Sequence, residues 1–76
     1  MTVNEWQQKF SDNLCTLMKN NNMSQYRLSK ESGVSSGRLS EYINMRSLPN
    51  IFAIINIADV FDVSIESLID FGERIE

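Results

Sequence analysis

Two short amphipathic segments, residues 24–32 and 35–43, meet at a single glycine, Gly33, with room between them only for a sharp turn. Each opens on a serine, Ser24 or Ser35, whose hydroxyl suits a helix N-cap. Leu28 is the inward residue of the first segment, with small Ser29 beside it. Leu39, Tyr42 and Ile43 line the inner side of the second. Gly33 follows the last turn of the first segment and can take the positive φ that such a corner needs. Val34 then plugs the turn into the core.

The flanking sequence also reads as helix. Thr2 and Glu5 fit a capping box, so a first helix begins near Val3 and carries Trp6, Phe10, Leu14 and Leu17 on one stripe. Asn20, Asn21 and Asn22 end it, since asparagine competes for nearby backbone hydrogen bonds. Residues 44–50 read as a loop closed by Pro49. Asn50 caps a fourth helix whose expected apolar face is Ile51, Ile54, Ile55, Ala58 and Phe61. Ser64 caps a last helix through Ile65, Leu68 and Ile69. With three glycines, one proline and little two-residue alternation, the expectation is all-α: five modest helices in one domain, residues 1–76, with 24–43 at its centre.

Composition narrows the function. A chain of 76 residues supports one small core and leaves little room for an enclosed substrate pocket. Histidine is absent, Cys15 is the one cysteine, and neither a P-loop nor a dinucleotide fingerprint occurs. Cys15 is expected as an inert, partly buried thiol. No enzyme activity, metal site or cofactor is expected, and the lack of a disulfide pair suits a reducing cytoplasm. No apolar run is long enough to span a bilayer.

Net charge is −3, which argues against a phosphate-binding surface until its distribution is read. Residues 24–46 hold Arg27, Lys30, Arg38 and Arg46 against Glu31 and Glu41. Residues 47–76 hold Arg74 against Asp59, Asp62, Glu66, Asp70, Glu73 and Glu76. The acid therefore gathers at the C-terminal end, and the middle is mildly basic.

Two short helices joined by a glycine-containing turn are the physical core of a helix-turn-helix. The ordered set Met23-Ser24-Gln25, Leu28, Gly33-Val34-Ser35, Leu39-Ser40, Pro49, Ala58, Val63-Ser64 and Leu68 resembles the lambda repressor and Cro-like helix-turn-helix family without a gap from Met23 to Leu68. Single positions are weak signals, but the ordered set over more than forty residues is specific. The chain departs from the pattern at Ser29, where alanine is usual, Ser32, where leucine is, Ile43, where glutamate is frequent, and Met45, where glycine is.

The resemblance implies a compact lambda repressor-like DNA-binding domain and a contact set on double-stranded DNA. Gln25 would meet a phosphate and brace a base-contacting side chain. Ser35 and Ser36 would open the recognition helix near backbone or base edges, and Gly37 would permit close approach. Arg38 is the principal base reader, because arginine bonds guanine O6 and N7 together. Ser40 and Glu41 lie on the same face, and Asn44 and Arg46 would clamp phosphates from the loop. Duller roles stand beside these: Gln25 as a first-turn residue, Arg38 paired with Glu31 or Glu41, Glu41 and both serines merely solvated.

A homodimer would read two half-sites about 34 Å apart. Its contact is expected on Ile65, Leu68, Ile69 and Phe71, with Phe52 as a lesser contributor, unless these residues close the monomer core instead. The function expected is a transcription regulator, a repressor of phage or bacterial type. The competing reading is a protein-interaction module on the same scaffold, in which the acidic end accounts for the net charge.

Overall fold

The computed structural model describes residues 2–69, and within them the chain is five α-helices: α1 Val3–Asn20, α2 Gln25–Ser32, α3 Ser36–Ile43, α4 Ile51–Val60 and α5 Glu66–Ile69. The starts follow the cap chemistry. Thr2, Ser24, Ser35 and Asn50 each accept the backbone N–H three residues on, from Glu5, Arg27, Arg38 and Ala53. The reciprocal half of the first cap differs from expectation: the Glu5 carboxylate accepts from the Thr2 hydroxyl.

Three helices end alike, through a residue with positive φ. These are Asn22 (49°), Met45 (59°) and Asp62 (54°). In each case the next residue's N–H returns five positions: Met23 to Met18 O, Arg46 to Glu41 O and Val63 to Ala58 O. Such closures satisfy carbonyls that a helix end leaves without partners. Gly33, at φ 76°, ends α2.

The helices close a ring: α1 packs on α3, α3 on α2, α2 on α4, α4 on α5, and α5 returns to α1. Phe10, Leu14, Leu28, Leu39, Ile57 and Leu68 are sealed at its centre. Trp6 stacks on Phe10, ring centroids 5.4 Å apart, and Phe10 meets Tyr42 edge-on at 6.1 Å. Asn13 Nδ2 donates to Leu68 O at 2.8 Å and ties α5 to α1.

Three expectations change. Helix α4 buries Ala53, Ile54, Ile57 and Ala58, whereas Ile51 and Ile55 stay 55% and 43% exposed. The face is turned because α4 lies mainly on α2, and small Ala53 and Ala58 occupy the inner side. Cys15 is exposed, one position round α1 from the Phe10–Leu14 stripe. Leu68 is fully buried in the protomer's own core and presents no surface to a second copy. Phe71 lies outside the described residues.

Candidate nucleic-acid interface

Helices α2 and α3 form a corner at Gly33, packed by Leu28, Val34 and Leu39 and braced by one side-chain tie between the two helices. Ser32, where a leucine is usual, is buried, and its hydroxyl accepts the Val34 N–H at 3.1 Å. The serine thus satisfies a backbone donor inside the turn. Across the corner, Gln25 Nε2 donates to Ser36 O at 3.0 Å and to Ser36 Oγ at 3.3 Å. The two helix N-termini are therefore joined side by side, where backbone N–H groups and the helix dipoles favour an anion.

The outer face of α3 is open. Ser35, Ser36, Gly37, Arg38 and Glu41 are all exposed. A Cβ added at Gly37 meets nothing within 4 Å, so internal packing places no demand for glycine there. Arg38 is held only through its backbone N–H on Ser35 Oγ, and its guanidinium meets no carboxylate among the described residues. Glu31 is engaged by Arg27, and Glu41 accepts from Ser47 Oγ at 3.5 Å. Ser40 is half-buried, and its carbonyl and hydroxyl both accept from Asn44 Nδ2, at 2.8 and 3.3 Å. Asn44 thereby caps the end of α3 with its amide nitrogen. Arg46 is exposed in the loop that follows.

Helix α4 and its cap add residues that sequence reasoning did not place at this surface. Asn50, Phe52 and Asn56 line one groove together with Gly33, Ser35, Arg38 and Tyr42. Phe52 is 73% exposed, beside the recognition helix rather than at α5. The signal available was Asn56, the one polar residue among apolar neighbours from 51 to 58.

Charge is spread unevenly. Arg27, Lys30, Arg38 and Arg46 lie on α2, α3 and the loop after α3, against Glu31 and Glu41. Asp59, Asp62 and Glu66 are exposed at the far end of α4 and the start of α5. Lys30 sits 5.4 Å over the Tyr26 ring. A second groove, lined by Thr2, Val3, Trp6, Leu48, Pro49 and Ile54, carries no titratable side chain. No group of metal-ligating side chains occurs among the described residues, and no helix there is long and apolar enough to cross a membrane.

No curated protein and no solved structure was found to match the chain. A family model described as helix-turn-helix matches residues 16–68, from the second half of α1 to Leu68 in α5. The match takes in the whole α2–Gly33–α3 corner and the groove beside it, and the chain accordingly belongs to the Cro/C1-type helix-turn-helix family of DNA-binding regulators.

Proposed function

We propose that this protein is a transcription regulator that binds double-stranded DNA sequence-specifically, laying α3 in the major groove. The supporting observation is the outer face of α3: Gly37 with open space above it, Arg38 without a carboxylate among the described residues, and Gln25 bracing Ser36 behind them. The major groove is wide enough for one helix, and α2 sets that helix at its angle. Arg38 reads bases; Gln25, Asn44 and Arg46 position the backbone; Ser35, Ser36, Ser40 and Glu41 complete the contact face. Repression follows when the occupied site overlaps a promoter.

One such module spans only a few base pairs, so the regulator acts as a two-fold dimer. Ile65 and Ile69 are the described residues of the expected dimer contact that retain surface.

Selection of duplexes from a random pool tests this reading. Enrichment of a sequence with two related half-sites is the expected result. Binding to it should weaken with salt at a log–log slope of about −0.9 per neutralised phosphate. A protein-interaction role is the second reading, favoured by exposed Ile51, Phe52 and Ile55 on α4. No enriched duplex, together with a salt-insensitive protein complex, would establish that role instead.

A further inference from the structure

The recognition helix ends against α1, and its last four carbonyls need donors. Three find them locally. Ser40 O takes the Asn44 N–H at 2.9 Å, Glu41 O takes the Arg46 N–H at 2.8 Å, and Tyr42 O takes the Met45 N–H at 3.2 Å. The fourth, Ile43 O, accepts from the Ser11 hydroxyl of α1 at 2.7 Å, across 32 positions of chain. Ser11 is only 5% exposed, so it is out of reach of any DNA.

We infer that Ser11 is a positioning residue for DNA reading: its hydrogen bond to the Ile43 carbonyl sets the tilt of α3, and through it the discrimination between sequences. The inference rests on the DNA reading above. Leu39, Tyr42 and Ile43 press α3 on the core, but apolar contact has no preferred direction and permits a helix to roll. Hydrogen bonds are directional. Gln25 of α2 ties the start of α3, and Ser11 of α1 ties its end. Two directional ties to two different helices fix an axis. Base-edge bonds need side chains placed within about 0.5 Å and 10–20°, whereas flexible arginines reach phosphates from many helix orientations.

The test compares two buried serine hydroxyls. Ser11→Ala removes the tie to α3, and Ser32→Ala removes a bond confined to the turn. For each, the ratio of affinities for the selected duplex and a scrambled duplex is measured at fixed salt, below the melting temperature. Ser11→Ala should lower that ratio about five- to tenfold with the salt slope unchanged. Ser32→Ala should keep it within about twofold, although its melting temperature also falls. Ser11→Cys, close in shape but a weak donor, repeats the comparison should the alanine variant not fold. A ratio preserved without the hydroxyl, or lowered equally by both alanine variants, overturns the inference. A parent protein that discriminates no duplex overturns the DNA reading and the inference with it.

Discussion

Gln25 and Ser36, the first residues of α2 and α3, are joined by one amide: Gln25 Nε2 donates to the Ser36 carbonyl at 3.0 Å. The bond commits the amide nitrogen to holding two helix starts together, where a phosphate oxygen can meet both sets of N–H groups.

Gln25→Ala should therefore weaken DNA binding more than folding. The bond is exposed, so its loss should cost under about 1 kcal/mol of stability. Affinity for the selected duplex should fall about fivefold or more, because brace and phosphate contact go together. Fluorescence anisotropy and thermal melting, measured on the same variant, separate the two effects. Equal losses in both would reduce Gln25 to a structural tie.

Arg38 and Arg46 are both exposed, but they occupy different places: one on α3, the other in the loop behind it. Arg38→Ala should cost roughly 1–3 kcal/mol on the cognate duplex and relax preference at one base pair. Arg46→Ala should weaken all duplexes alike and reduce the salt slope by about 1. Competition binding against single-position variants of the selected duplex reads both. Uniform weakening by Arg38→Ala would move it from base reader to phosphate contact.

Gly37 makes stability and function pull in opposite directions. Glycine in a helix costs about 0.5–1 kcal/mol against alanine, and here nothing in the protein would obstruct the methyl group. Gly37→Ala should raise the melting temperature while lowering DNA affinity, since the new methyl group stands where a base edge must approach. Chemical denaturation and a binding isotherm check the two signs. A variant both more stable and equally tight would mean that DNA does not come close at Gly37.

The starts of α1 to α4 were readable because cap chemistry is local: a threonine, serine or asparagine hydrogen-bonds within three residues of itself, whereas Ser64, expected to cap the last helix, makes no side-chain cap among the described residues and α5 starts at Glu66. The α2–α3 corner was readable for the same reason. The inner face of α4 was not, since residues 51–58 are apolar except for Asn56 and carry no usable period. The Ser11–Ile43 bond could not be foreseen, because nothing near Ser11 in sequence marks its partner. Phe52 was read only as a lesser contributor to a dimer contact; the packing of α4 on α2 sets it beside Arg38. The contact residues on α3 were legible as a face, but the inward turn of the Asn44 amide onto Ser40 was not.

Met45 closes the recognition helix in a conformation its side chain disfavours. Its φ is 59°, and it occupies the place where Asn22 and Asp62 end α1 and α4. Asparagine and aspartate tolerate this left-handed region, whereas a methionine carries a penalty of roughly 1–2 kcal/mol. Glycine removes that penalty but gives back part of the gain, about 0.4–1 kcal/mol, through the freer unfolded chain. Met45→Gly should therefore stabilise the fold by about 0–1.6 kcal/mol, the difference of those two effects. The half-buried methionine side chain contributes some packing, which sets the lower end of that range. Urea denaturation of parent and variant, compared at equal slope, measures it. Destabilisation would show that the side chain of Met45 holds the loop more firmly than its backbone strains it.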